Sequence, residues 1–236
     1  MAEPKRYQAG RTYQETFNTG VFGPLLGEKS GVFRTAPHPA TGEQQLVGAL
    51  PLFADGKGHA GFSAYTSATS TLYRNGVKVT ENDDPLSGWK PFTVDSTYAE
   101  YRLTTSVKRS AKVAATSTRI DTSFTFRSKP VTATTALPVS TVRFAVPVDL
   151  ASRAPRGKPV RIPVTVQGSA AGKNLKSLAV SVSYDDGRTW QRVKVDNGRI
   201  SVKNPAKDKA ISFLADVTDK QGNHAKLTIH NAYYGK

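Results

Sequence analysis

Apolar residues alternate with their neighbours along most of this chain, and nowhere do they recur over a sustained stretch at helical spacing. The second half is clearest. Val142, Phe144, Val146 and Val148 alternate, then Val160, Ile162, Val164 and Val166, then Leu178, Val180, Val182 and Tyr184. Trp190, Val193 and Val195 follow with a break in parity that predicts a bulge. Ile200 and Val202 make a short strand; Ile211, Phe213, Ala215 and Val217 another; Ala225, Leu227 and Ile229 the last. About seven short strands in about ninety residues is the arithmetic of an immunoglobulin- or fibronectin-like β-sandwich. Pro147, Pro159 and Pro163 cannot donate to a ladder, so they belong at edges, bulges or strand ends.

The first half is also β, with more loop. Tyr101, Leu103, Thr105 and Val107 alternate, as do Ile120, Thr122, Phe124 and Phe126, while Leu46, Leu50, Leu52 and Phe53 lead to a turn at Asp55-Gly56. Gly20–Ser30 reads as an ordered loop rich in Gly, Pro and Leu. Ser128–Pro138 is polar, small and bracketed by prolines. The expected organisation is therefore all-β with two sandwich domains: residues 1–130, sandwich or jelly-roll-like; a linker at 131–138; and an immunoglobulin-like domain at 139–236.

Three turns carry specific chemistry. Asn75-Gly76 between Leu72-Tyr73 and Val77 predicts a two-residue hairpin. Ser183-Tyr184-Asp185-Asp186-Gly187-Arg188-Thr189-Trp190 matches the Asp-box pattern S-x-D-x-G-x-T-W in full. In it Asp185 can bind nearby amides, Gly187 tolerates positive φ, Ser183 and Thr189 flank the turn, and Thr189 and Trp190 start a strand. Asp219, Gly222 and Asn223 predict a third hairpin. All three motifs specify local structure and assign no reaction.

Composition narrows the picture. No cysteine is present, so disulfides and thiolate metal sites are excluded. No apolar run approaches the ~18 residues of a membrane helix. Met1–Arg6 leads into polar sequence without a leader, so an exported form would be part of a longer product. The net charge of +15 is uneven: residues 1–150 hold 17 basic and 12 acidic side chains, residues 151–236 hold 16 and 6. Such a surface attracts polyanions. The basic residues are scattered singly, however, and no nucleic-acid-binding motif accompanies them.

Catalytic candidates are few. Gly58-His59-Ala60-Gly61-Phe62-Ser63-Ala64-Tyr65 fails the G-x-S-x-G elbow because Tyr65 stands at its last position. His59 reads as a turn residue and His38, between prolines, as a loop residue. His224 and His230 share a parity and belong to one face of the last strand, with no third ligand for zinc. Glu81-Asn82-Asp83-Asp84 lacks calcium-loop spacing and reads as a solvated loop. Trp89, Phe92, Tyr98 and Tyr101 cluster; Tyr101 belongs to a core face and suits a tyrosine corner, and exposed members can stack on sugars or bases. No cofactor is expected.

One resemblance covers nearly the whole chain. It rests on Tyr7–Glu15, Val21-Phe22-Gly23-Pro24, Leu72–Gly76, Tyr101–Thr104, Phe124–Ser128, Val142-Arg143-Phe144, the Asp-box and Asp216–Asn223, in that order. The order resembles the region after the catalytic domain in large secreted bacterial subtilisin-like serine peptidases. That family's D-[ST]-G, H-G-T-H and G-T-S-M-A motifs are absent, so no catalytic residue carries over. The resemblance implies a parent hydrolase, an extracellular setting and an accessory role. The implied partners are the parent's catalytic domain, a protein substrate or an anionic cell-surface polymer. The competing expectations are a free-standing adhesin or polysaccharide-binding module, a hydrolase using His59 and Ser63, and a polyanion binder.

Overall fold

The computed structural model describes residues 6–236, so the opening Met1–Lys5, within the stretch searched for a leader, lies outside the described residues. The described chain is all-β, with one short 3₁₀ turn at Gly172–Asn174. Its strands in the first half are β1 (Gly31–Arg34), β2 (Gln44–Ala49), β3 (Ser67–Arg74), β4 (Val77–Asn82), β5 (Phe92–Val94), β6 (Ala99–Lys108), β7 (Arg119–Ser128) and β8 (Thr135–Ala136). The second half adds β9 (Ser140–Phe144), β10 (Arg153–Ala154), β11 (Pro159–Gly168), β12 (Leu175–Ser183), β13 (Gln191–Val193), β14 (Val195–Asp196), β15 (Arg199–Lys203), β16 (Ala210–Asp219) and β17 (His224–Gly235).

Strand order makes the second half an immunoglobulin-like sandwich. One sheet runs β9-β11-β15-β14 and the facing one β13-β12-β16-β17, the A-B-E-D and C′-C-F-G arrangement of that fold. Across the layers the Phe144 and Phe213 rings stack at 4.3 Å with planes 10° apart. The alternation predicted for β16 is complete: Ile211, Phe213, Ala215 and Val217 are all buried. Pro159 and Pro163 lie where β11 pairs with β15 alone, and pairing with β9 begins only at Val164. Their missing N–H groups thus leave no gap in the second ladder. The parity break after Trp190 is not a bulge. The chain leaves β13, paired to β12, and enters β14, paired to β15 in the other layer. The break itself falls earlier: Trp190 lies outside β13, and Val193 and Val195, on either side of the switch, keep one parity.

The first half places β5-β2-β1-β8 against β4-β3-β6-β7. Asn75 and Gly76 both take positive φ (49° and 82°), as a two-residue turn between β3 and β4 requires. Tyr101 is fully buried, but its hydroxyl makes no hydrogen bond, so it packs the core and is not a tyrosine corner.

The halves share one sheet. Along seven positions, His224 to His230 of β17 pair with Thr125 to Arg119 of β7, making β13-β12-β16-β17-β7-β6-β3-β4 continuous. The stretch 131–138 itself contains β8, which pairs with β1. A second tie is polar. Arg143 of β9 donates Nη1 to the carbonyls of Gly23 (2.7 Å) and Ala54 (3.2 Å) and Nη2 to that of Asp55. Burial pushes its guanidinium pKa down.

Shared strands and a shared arginine predict one cooperative unfolding transition in urea, followed by circular dichroism and tryptophan fluorescence together. Arg143→Met removes the hydrogen bonds that join the carbonyls of Gly23, Ala54 and Asp55 to β9 and should lower stability by about 2 kcal/mol. Two resolved transitions, or a neutral Arg143→Met, would contradict this coupling.

Candidate functional site

After β2 the chain runs inward through Leu50, Leu52 and Phe53 and turns at Asp55. The buried Asp55 carboxylate accepts from the amides of Asn18 (2.9 Å), Lys57 (3.0 Å) and His59 (2.9 Å), and lies 2.9 Å from His59 Nδ1. Gly58 at φ 88° lets the loop fold back so that His59 covers Asp55. Phe17 packs on the imidazole at 4.2 Å. Burial pushes the Asp55 carboxyl up, but the hydrogen bonds from His59, Asn18 and Lys57 outweigh it and hold the pKa below the ordinary 3.8.

Facing this loop is Arg109, one residue past β6 and only 6% exposed on an extended strand end. Its Nε donates to Ser117 O (3.1 Å), Nη2 to Thr116 O (2.7 Å) and Nη1 to Ser63 Oγ (3.2 Å). The guanidinium carbon lies over the rings of Phe22 (4.7 Å) and Phe53 (4.3 Å). Burial lowers its pKa to about 10, so it is a cation at neutral pH. Asp55, His59, Ser63 and Arg109 thus line one cavity of about 680 Å³, with Phe17, Phe22 and Phe53 as apolar walls.

This is not a triad. Ser63 Oγ donates to Ala64 O (3.2 Å) and accepts from Arg109, and no hydrogen bond joins it to His59. A nucleophile needs a base at hydrogen-bond reach; here its neighbour is a cation without proton-accepting capacity.

A second, apolar cleft of about 400 Å³ lies next to the first and shares Phe53, Gly61, Phe62 and Ser63 with it; Leu50, Leu52, Tyr65 and Trp89 are among its other walls. Phe62 is 88% exposed and Trp89 86%. Trp89 is displayed by an ordered loop. Asp84 accepts from Ser87 N (3.1 Å), Ser87 Oγ and Gly88 N (3.2 Å). Leu86, at φ 58°, is buried against Gly48, where a Cβ would come within 2.7 Å of the leucine Cβ. The expectation of a solvated acidic loop therefore fails at Asp84, which is buried and organises the turn.

The residues of the three predicted hairpins lie elsewhere, and none of them lines the two clefts. Between β12 and β13, Asp185 accepts from Ser183 Oγ (2.7 Å), Thr189 N (2.9 Å) and Thr189 Oγ1 (2.6 Å). These bonds hold its carboxyl far below the usual carboxylate range. Gly187 takes φ 86°, and a Cβ there would meet His230 at 3.1 Å and Trp190 at 3.2 Å. Trp190 is half-buried and precedes the strand, which starts at Gln191. Asp219, fully buried, accepts from the amides of Gln221 and Asn223 (2.9 Å each) and from Asn223 Nδ2 (2.8 Å), with Gly222 at φ 89°. His224 and His230 do share the face opposite the buried Ala225, Leu227 and Ile229. Their Nε2 atoms lie 2.9 Å from Asp216 and 3.1 Å from Asp121. Among the described residues no group of three acidic or histidine side chains is arranged to hold a metal.

The sequence pointed to His59, Ser63 and Trp89, gave Asp55 only as a turn residue and Asp84 only as part of a solvated loop, and did not point to Arg109. An Asp followed by Gly at 55–56 was the one signal for Asp55; the strand-end Arg109 gave none.

No protein-family model and no curated protein matches the chain. Among solved structures it is similar to the fibronectin(III)-like modules of Clostridium thermocellum CbhA, at 11% identity over 96% of this chain and 93% of that one, with a TM-score of 0.27. It is also similar to three N-terminal domains of the bacteriophage RB49 highly immunogenic outer capsid protein, at 12% identity over 89% of this chain and 58% of that one, with a TM-score of 0.25. Likenesses at such TM-scores carry no weight; the strand order alone makes the second sandwich immunoglobulin-like.

Because the Asp55 pKa is depressed, its ionised form stabilises the fold above its ordinary 3.8, and that contribution fades as pH falls through the lower folded value. Asp55→Asn should therefore cost about 1–2 kcal/mol at pH 7. The gap between the two proteins should narrow below pH 3.8. Urea titrations across pH check this, and a gap that widens on acidification would refute it.

Proposed function

We propose that the chain is a non-catalytic accessory module of a secreted subtilisin-like serine peptidase, docking on its catalytic domain through the cleft between Phe62 and Trp89. The observation that carries the docking surface is a pair of almost fully exposed rings, of which Trp89 stands on backbone fixed by Asp84 and Leu86. An exposed aromatic anchor on a fixed loop beside an apolar cleft suits protein recognition, because little backbone ordering cost remains to be met on binding. The parent peptidase and the extracellular setting are supported by the ordered resemblance along the chain. The arrangement of Ser63 against Arg109, away from His59, favours an accessory role over a hydrolytic one.

Those same exposed rings favour a second reading, a free-standing module that stacks Trp89 on cell-wall polysaccharide.

Four measurements test these readings. The reading frame around this chain should encode the D-[ST]-G, H-G-T-H and G-T-S-M-A motifs upstream; a frame without them removes the peptidase parent. The isolated catalytic unit should bind this chain in calorimetry, and Trp89→Ala should weaken that binding at least roughly tenfold. Retention on cell-wall polysaccharide, lost in Trp89→Ala, would instead establish the second reading. A serine-directed phosphonate should leave the chain unlabelled; labelling abolished by Ser63→Ala would make it a hydrolase.

A further inference from the structure

Docking at Trp89 leaves the neighbouring cavity without a task, yet that cavity holds a buried cation facing no carboxylate. Among the described residues no acidic oxygen lies within 4.0 Å of the Arg109 guanidinium. Asp55, the one acid in the cavity wall, is engaged by His59 and lies in the field of Arg143. A buried charge is costly unless an opposite charge or good hydrogen bonds offset it. Of the five N–H groups of a guanidinium, three are accounted for, by Ser117 O, Thr116 O and Ser63 Oγ.

Other buried arginines show how this one differs. Arg143 gives its Nη groups to several carbonyls, and Arg34 gives Nε to Gln44 (2.7 Å) and Nη2 to Asp95 O (2.6 Å). Neither lines the cavity; Arg109 does. Phe22 and Phe53 flank its plane, and Phe17, Phe62 and Leu150 extend the apolar wall to the rim. A volume of about 680 Å³ matches an organic ligand of moderate size.

We propose that this cavity binds an organic carboxylate with an apolar body. The carboxylate lies against the free N–H groups of Arg109, whose planar fork fits two oxygens. The apolar body lies against Phe53 and Phe62. A single negative charge suits the site better than a phosphate dianion, because Asp55 shares the wall. The inference rests on the chain being a binding module, but not on a peptidase parent, so an upstream frame without peptidase motifs leaves it standing.

The probes are N-acetyl-phenylalanine, its carboxamide, and a hexapeptide ending in a free phenylalanine carboxylate. Each is titrated into the whole protein by calorimetry and by amide chemical-shift mapping. The two acids should bind, with shifts at Ser63, Arg109 and Thr116, and the carboxamide should bind at least roughly tenfold more weakly. Tighter binding of the hexapeptide identifies a peptide C-terminus as the source of the carboxylate; equal or tighter binding of the small acid identifies a free metabolite. Arg109→Lys keeps the charge and loses the fork, and should weaken the acids alone. Should that variant not fold, Leu150→Glu decides, since Leu150 is 79% exposed and its replacement sets a negative charge at the rim without disturbing the core. It should weaken the acids several-fold more than it weakens the carboxamide, which feels only the lost apolar contact. No binding of either acid, equal binding of acid and carboxamide, or indifference of the acids to Leu150→Glu would overturn the proposal.

Discussion

Arg143 holds the site region to the second sandwich. It projects from β9 and donates to backbone carbonyls at Gly23, Ala54 and Asp55, which belong to loops of the first half. Ala54 O also accepts from Gly23 N and Asp55 O from Gly58 N (3.0 Å each), so the guanidinium adds a second donor to these two and a donor to Gly23 O, tying three loop carbonyls to one strand of the other half. With it, the Asp55 backbone is fixed from one side while its carboxylate gathers Asn18, Lys57 and His59 on the other. The cavity wall is thus built from one half and anchored by the other. The β7–β17 ladder supplies the rigid floor that makes such an anchor possible.

The loops obey a common rule. Asp55, Asp84, Asp185 and Asp219 each accept from amides two to four residues further on. A carboxylate used this way fixes a turn locally, and nearby residues then inherit a defined position. At 185 and 219 the result is a hairpin between core strands. At 55 and 84 it is a loop that carries His59 or Trp89 to the surface. Identical local chemistry therefore serves structure in one place and display in another. The difference lies in the residues beyond each turn: strands β13 and β17 come after 189 and 223, glycines and aromatics after 55 and 84.

That distinction explains what the sequence made legible. Alternation found β6, β7, β11, β12, β16 and β17 because a two-residue period is imposed by burial of one face. Asn75-Gly76 and Asp219–Asn223 were legible because their bonds span only a few residues. The break after Trp190 was visible as a parity change because Trp190 precedes β13, while the switch of layers at Lys194 was not visible, since Val193 and Val195 keep one parity across it. Arg109 and Arg143 were illegible. Their partners lie as far as 46 and 120 residues away in the chain, and an arginine at a strand end reads as surface charge until the fold closes over it. Asp84 was hidden by its neighbours, because Glu81 and Asp83 do face solvent and pair with Lys78 and Lys90.

The two clefts differ in chemistry but share Phe53 and Phe62. Phe53 is buried and carries the Arg109 guanidinium on its face, so its position is set by the core. Phe62 has no such constraint: it stands between Gly61 and Ser63 with its ring in solvent. One ring thus lines both clefts, so a ligand body and a docked partner that each cover Phe62 make use of the same surface, and occupation of one cleft bears on the other through that shared ring.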